Sequence, residues 1–212
     1  ANPTAFASTP RLAWGFYGHR LNLYRQTIPH RGFEILRQIG ARMANGAFVF
    51  SSNVDGQFQK ANFSVDRIVE CHGSIHHLQC LDSCHEASWP ADEFLPAIDE
   101  EQCLLLGDFP RCPRCQCLAR PNILMFGDWG WQSERSEAQE TRLQAWLRQV
   151  ERLVVIEVGA GTNIPTVRLM GERVKGRLIR INPSEPQLPP GKGVGIAAGG
   201  LDALRGIAGA LG

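Results

Sequence analysis

The chain has 212 residues, 43% of them hydrophobic and 20% charged, a balance that permits an ordinary buried core and excludes wholesale disorder. Lys and Arg number 22 against 21 Asp and Glu, a formal net charge of +1, so no global field points to a nucleic-acid partner. No apolar run approaches the ~20 residues of a membrane span, and no leader is visible at Ala1-Asn2-Pro3-Thr4. The length suits one large domain with a small insert. Because the first residue is not Met, the chain is expected to begin inside a longer protein.

In chain order, Thr9 as cap and Pro10 at the first helical position predict a helix, with Ala13, Phe16, Tyr17, Leu21 and Tyr24 at helical spacing. A second helix is expected from about Gly32 to Met43, with Phe33, Leu36 and Ile39 on one face. Ala47-Phe48-Val49-Phe50 reads as a buried parallel strand ending in Ser51-Ser52-Asn53-Val54-Asp55-Gly56. Arg67-Ile68-Val69-Glu70 is a second short strand, leading into Cys71-His72-Gly73-Ser74. Between residues 75 and 120 the composition shifts to cysteine and proline with little periodicity, which suggests a small module inserted between segments 1–74 and 121–212. Ser136 with Gln139 suggests a capping box, followed by a helix with Leu143, Trp146, Leu147 and Val150 on one face. A strand over Leu153–Val158, a turn at Gly159–Asn163, a helix from Pro165 to about Val174 and a strand over Leu178–Ile181 come next. Pro189 to Gly200 reads as a loop before a final helix near Asp202–Ala208. Strands alternating with helices predict an α/β fold, a parallel sheet with helices on both faces.

Seven cysteines, an odd number without a secretion signal, fit a reduced cytoplasmic protein better than a disulfide framework. Cys80-Leu-Asp-Ser-Cys84 and Cys112-Pro-Arg-Cys115 form two knuckles about thirty residues apart, able to place four thiolates around one Zn²⁺. Cys117 and His85 are nearby competitors for the outer positions. Such a closed site is structural and supplies folding free energy to a module poor in apolar residues. Polar residues at the carboxyl ends of the predicted strands mark where open α/β sheets hold ligands. Gly159-Ala160-Gly161-Thr162 can approach a phosphate and Asn182 suits a ribose hydroxyl, although a bland strand-to-helix turn accounts for both equally well. His72, following a strand at the module's border, is the best candidate base, since imidazole titrates near neutrality. His76 and His77 read as structural.

Asn53-Val54-Asp55, Glu70-Cys71-His72-Gly73-Ser74, the two cysteine pairs, Arg120-Pro121-Asn122-Ile123-Leu124-Met125-Phe126-Gly127-Asp128, Gly159-Ala160-Gly161-Thr162 and Ile181-Asn182-Pro183 together resemble sirtuin motifs in sirtuin order. The resemblance implies a Rossmann-like NAD-binding domain with a four-cysteine zinc insert, and NAD-dependent removal of acyl groups from protein lysines. It implies His72 as the base acting on a ribose hydroxyl and Asn53 as the residue fixing the ribose and a water. Asp55 would hold the nicotinamide carboxamide and Ser52 would make a ribose contact, with Gly159, Ala160, Gly161 and Thr162 at the phosphates. Asn182, Pro183 and Ser184 would meet the adenosine side, Ala197 the adenine, and Phe126 with Gly127 the substrate backbone. Tyr17-Gly-His-Arg20 resembles the Tyr-X-X-Arg pair of sirtuins that remove succinyl or malonyl groups, which implies acidic acyl substrates. Against the pattern, Ser52 replaces a usual Gln, Met125 stands at a usual Trp, and the first cysteine pair carries one extra residue. The opening Gly-Ala-Gly loop of such proteins has no counterpart here, so this form alone is expected to lack part of the pocket. Two other readings stay open: mono-ADP-ribosyl transfer to protein, and a non-enzymatic zinc-containing module that binds NAD or ADP-ribose. No membrane or nucleic-acid partner is expected, and the sequence leaves the oligomeric state undetermined.

Overall fold

The computed structural model describes residues 2–212. Helices α1 (Thr4–Ser8), α2 (Pro10–Gln26) and α3 (Arg31–Ala41) precede strand β1 (Val49–Ser51), the short α4 (Gln57–Lys60) and β2 (Ile68–Glu70). Strands β3 (Gly73–Cys80), β4 (Trp89–Pro90), β5 (Ile98–Asp99), β6 (Leu104–Leu105) and β7 (Ala119–Ile123) follow. The chain ends with α5 (Glu134–Leu147), β8 (Val154–Val158), α6 (Thr166–Arg173), β9 (Arg177–Ile181), β10 (Gly193–Ile196) and α7 (Gly200–Leu211). No described helix is long and apolar enough to cross a membrane. Among the described residues two compact units form, one from residues 2–28, 51–60 and 69–141, the other from 29–50, 61–68 and 142–212. Residues 75–120 lie wholly in the first unit, with α1 and α2.

In the first unit β3 pairs antiparallel with β4 and with β7. The segment expected to be irregular is thus built on an eight-residue strand. Its sequence hid this, because Gly-Ser-Ile-His-His-Leu-Gln-Cys buries polar Ser74 and Gln79 as fully as Ile75 and Leu78. Phe6, Trp14, Tyr17 and Leu21 from α1 and α2 pack into one core with Ile75, Leu78, Ile123 and Met125. Each such burial is worth roughly 1.5–3 kcal/mol. Trp14 keeps its polar end satisfied by donating Nε1–H to the Ala119 carbonyl at 3.0 Å. Thr9 does not cap α2: its hydroxyl donates back to the Ala5 carbonyl, because α1 ends immediately before it. The capping box at Ser136 and Gln139 is also absent. Ser136 Oγ donates to the Glu70 carbonyl, and Gln139 Oε1 accepts the Glu70 N–H, so the pair holds β2 rather than the helix end.

In the second unit β8, β9 and β10 form a parallel sheet in the order β10-β9-β8. Ile156, Ile179, Ile181 and Ile196 pack with Ile35 and Ile39 of α3 and with Ala203 and Leu204 of α7. The opposite face carries Glu157, Leu178 and Arg180 against α6, where Gly171 lies beside Glu157 and Leu178. Helices thus cover both faces, as the alternation predicted. Arg180 and Glu157 are 1% and 3% exposed, and Arg180 also reaches Glu172 at 2.9 Å and the Gln187 carbonyl at 2.7 Å. Strand β10 falls where a loop was expected. A Cβ on Gly193 would lie 1.8 Å from the Leu178 carbonyl oxygen, so this edge strand requires the glycine that made it look like a loop.

Candidate active site and metal centre

The two cysteine knuckles converge. The Sγ atoms of Cys80, Cys84, Cys112 and Cys115 all lie within 4.8 Å of one another, with Cys80 to Cys115 and Cys84 to Cys112 both at 3.6 Å. A tetrahedron with Zn–S bonds of ~2.3 Å has edges of about 3.8 Å, so the four sulfurs are spaced for the ion. Burial opposes ionisation of Cys112, but N–H groups of Cys115 and Arg114 and the His85 ring outweigh it and bring the thiol down to about 6. Cys115 is also lowered, chiefly by the Cys117 backbone, whereas the Cys115 sulfur drives Cys84 upward and burial raises Cys80. Only a cation satisfies all four as thiolates at once. Cys117 and His85 stay outside the set, His85 placing Nε2 3.4 Å from Cys112 Sγ. Cys71 is 8% exposed and burial pushes its thiol to about 12, which makes it a core residue.

His72 sits between two backbone anchors. The Cys71 N–H donates to the Ser51 carbonyl at 2.9 Å, and the Leu124 N–H donates to the His72 carbonyl at 3.0 Å. Gly73 follows with φ +77°, and a Cβ there would lie 2.0 Å from the Asn122 carbonyl oxygen, so only glycine lets the chain turn beside β7. The half-buried imidazole has its pKa lowered by burial, while a hydrogen bond with the Ser52 backbone opposes the shift. It is therefore neutral at pH 7 and able to accept a proton. Asn53 is exposed, and its N–H donates to Ser51 Oγ at 3.1 Å. Asp55 Oδ1 accepts the Gln57 N–H at 3.0 Å, and its carbonyl lies 3.0 Å from His76 Nε2. The structure thus gathers His72 with the 52–55 loop within the first unit.

In the second unit, the carboxyl ends of three adjacent parallel strands hold the remaining residues expected to meet the dinucleotide. Gly159, with φ +70°, turns the chain after β8. The Asn182 side chain donates to the Ala160 carbonyl at 3.1 Å and accepts the N–H groups of Ser184 and Glu185. Its amide therefore fastens the two loops to each other. Pro183 lies in the same turn, and Ala197 is exposed just past the end of β10. Two residues here escaped the sequence reading. Glu185 accepts the Thr162 N–H at 3.0 Å and its hydroxyl at 2.6 Å, and the buried Arg168 donates to the carbonyls of Ala160 and Glu185 at 3.0 Å. The available signal for Glu185 was an acid three residues beyond Asn182 at a strand end.

Tyr17 and Arg20 share one turn of α2 but meet different surroundings. Tyr17 is 7% exposed and stacks on Phe6 at 5.5 Å. Burial pushes its phenol to about 12 against the opposing charge of Arg20. The Arg20 guanidinium lies 3.6 Å over the Phe16 ring and lines a cavity of about 240 Å³ with His19, Ile98, Glu100 and Cys103. Phe126 is 71% exposed, and Gly127 has φ +66°. Their loop is clamped by Asp128, which takes Arg120 in a two-point ion pair at 2.8 Å and accepts the N–H groups of Met125 and Gly130. The same loop holds Trp129 at 99% exposure.

A parallel sheet with polar loops at its carboxyl edge, a histidine beside a polar loop and a four-thiolate centre define a Rossmann-like protein with a zinc-binding module. A match to the Sir2 family spans residues 1–162, and the chain belongs to that family. An NAD-dependent protein deacylase of Aquifex aeolicus is 28% identical over 87% of this chain and 70% of its own length. One of Pyrococcus abyssi is 32% identical over 60% of this chain and 48% of its own length. A variant Sir2 homologue in complex with ADP-ribose shares the fold at TM-score 0.73 and 21% identity, covering 100% of this chain and 78% of that one. A Sir2 protein bound to acetylated peptide gives 0.66 at 17% identity, covering 97% and 80%.

Proposed function

We propose that this protein is an NAD-dependent protein-lysine deacylase acting on acyl-lysine side chains of proteins or peptides. The observation that carries it is the His72 imidazole, lowered in pKa and hydrogen-bonded at the Ser52 backbone beside Asn53. NAD would supply the ADP-ribosyl group, the acyl-lysine carbonyl oxygen bonding to the ribose carbon as nicotinamide leaves. His72 would take the proton from a ribose hydroxyl so that its oxygen can attack the acyl carbon, and one water would be consumed in releasing O-acyl-ADP-ribose and free lysine. Asn53 and Ser52 orient the ribose, while Asp55 holds the nicotinamide carboxamide. Gly159, Ala160, Gly161 and Thr162 offer backbone to the phosphates. Pro183, Ser184 and Ala197 flank the adenosine side, with Asn182 holding the loops in place.

Glu185 joins this set: an acid past the strand that follows the glycine turn is the group dinucleotide folds set on a ribose hydroxyl. Phe126 and Gly127 pair with the substrate backbone as an added strand. Cys80, Cys84, Cys112 and Cys115 hold a structural Zn²⁺ within residues 75–120, and their thiol state fits a cytoplasmic location. Arg20 favours acyl groups ending in a carboxylate by a charge-assisted bond, whereas Tyr17, buried against Phe6, supports its helix from the core.

The test follows nicotinamide release and O-acyl-ADP-ribose by mass spectrometry, with an acyl-lysine peptide and NAD. His72→Ala should abolish both; an unchanged rate would remove the base assignment. One observation favours a second reading, mono-ADP-ribosyl transfer. A probable bifunctional ADP-ribose hydrolase/ADP-ribosyltransferase of Fusarium oxysporum f. sp. cubense is 30% identical over 73% of this chain and 27% of its own length. Label from NAD retained on protein instead of on a released acyl product would decide for it.

A further inference from the structure

Cys71 and His72 form the turn that joins β2 to β3, so the placing of the imidazole depends on how the two strand ends are held. On the β3 side, Gly73 lies against the Asn122 carbonyl and the Leu124 N–H bonds the His72 carbonyl at 3.0 Å. On the β2 side the hold converges on one residue, Glu70.

In an extended strand the N–H and C=O of one residue point to the same side, and those of the next residue to the other. The Cys71 N–H goes to the Ser51 carbonyl at 2.9 Å, so the main-chain groups of Glu70 face away from Ser51. Among the described residues β2 has strand β1 alone as its sheet neighbour. Glu70 is 2% exposed, and buried main-chain groups need partners. Helix α5 supplies them from its side chains. Gln139 Oε1 accepts the Glu70 N–H at 2.9 Å, and Ser136 Oγ donates to the Glu70 carbonyl at 2.8 Å. The Glu70 carboxylate pairs with the Arg135 guanidinium.

Residues 135, 136 and 139 share one face of the helix. Ser136 and Gln139 are 3% and 5% exposed, so water offers Glu70 no substitute for them. Apolar packing is non-directional, whereas two bonds to one peptide segment fix both the position and the rotation of the strand end. The His72 ring is hydrogen-bonded at the Ser52 backbone, next to the Ser51 carbonyl that holds Cys71. A shift of the β2 end therefore moves the ring against that partner. We propose that Ser136 and Gln139 are positioning residues for His72, holding the end of β2 where the imidazole meets the 52–55 loop. The inference rests on the reading of His72 as the base; neither side chain belongs to the groups assigned to cofactor or substrate.

The test compares Ser136→Ala, Gln139→Met and Ser136→Thr, with rates expressed per folded chain. Misplacement by about 1 Å can cost up to ~100-fold in rate. Ser136→Ala and Gln139→Met should each lower kcat of nicotinamide release and deacylation about ten-fold or more, with KM for NAD and peptide within about two-fold. Ser136→Thr keeps the hydroxyl and should stay within about two-fold of the parent. An NMR titration of the His72 imidazole should move toward ~6.5 in Ser136→Ala, as the loosened ring gains water, and stay at the parental value in Ser136→Thr. Should the parent release no nicotinamide, the deacylase reading falls by itself and the titration alone decides the positioning role. The proposal is overturned by parental kcat in both Ser136→Ala and Gln139→Met, by a change in KM alone, by Ser136→Thr as impaired as Ser136→Ala, or by a His72 titration identical in all four proteins.

Discussion

His77 gives the protein a specific weakness in acid. It sits on β3 with Nδ1 buried and unpartnered, and its pKa falls from 6.5 to about 4. Burial is the largest cause, Arg135 adds repulsion, and His76 adds a little more, while Glu70 and Asp92 oppose. The unfolded chain binds a proton near pH 6.5 and the folded one only near 4, so between those values the unfolded state carries more protons. Stability from this group is complete above pH 6.5 and is lost as pH falls toward 4. A displacement of about 2.5 units at ~1.36 kcal/mol per unit amounts to roughly 3 kcal/mol, a large share of the 5–15 kcal/mol typical of a domain. His77→Phe removes the titrating group and, because Nδ1 makes no bond, should cost little at pH 7. Urea unfolding at pH 7 and at pH 4.5 is the assay. The variant should lose about 2–3 kcal/mol less than the parent across that interval, with acid effects on the thiolate centre common to both proteins. Equal losses, or an NMR titration placing the folded imidazole above 6.5, would refute the reasoning.

Further outcomes follow from the other sites. The pH profile of kcat/KM in nicotinamide release should fall on the acid side with an apparent pKa below 6.5, because burial lowers His72 and the base must be neutral; a limb above 6.5 would contradict this. Elemental analysis should find one zinc per chain. Chelation or Cys112→Ser should collapse residues 75–120 to rapid hydrogen exchange, and full retention of protection would contradict the structural role. Arg180→Met strands the buried Glu157 carboxylate and should cost about 3–5 kcal/mol in urea unfolding, most of it restored when Glu157→Leu is added. Arg20→Met should lower turnover of succinyl-lysine peptide far more than that of acetyl-lysine peptide, and equal losses would remove Arg20 as a specificity residue.

The sequence announced its long helices and the sheet of the second unit because Ile156, Ile179 and Ile181 alternate with residues that face α6. It also announced the four-cysteine cluster, since two knuckles of this spacing can bring four thiolates together, although only the folded structure left Cys117 and His85 outside it. What stayed hidden has physical causes. Strand β3 carries polar residues on faces that folding buries, and Gln79 meets its partners only across 43 residues at Asn122 and 51 at Gly130. Strand β10 needs glycine where another backbone passes closely, so composition disguised it as a loop. Ser136 and Gln139 have the spacing of a local cap, but a long-range bond to Glu70 claimed them both. At the candidate site the residue types were legible. The fastening role of Asn182 and the partnership of Glu185 with Thr162 required the folded loops.

The Asp128 clamp has a mechanical consequence. Four hydrogen bonds converge on one carboxylate, so the turn carrying Phe126 and Trp129 is rigid although both rings stand in water. A polypeptide settling against those rings would meet a shape already set. The freedom given up on contact would then come almost entirely from the incoming chain.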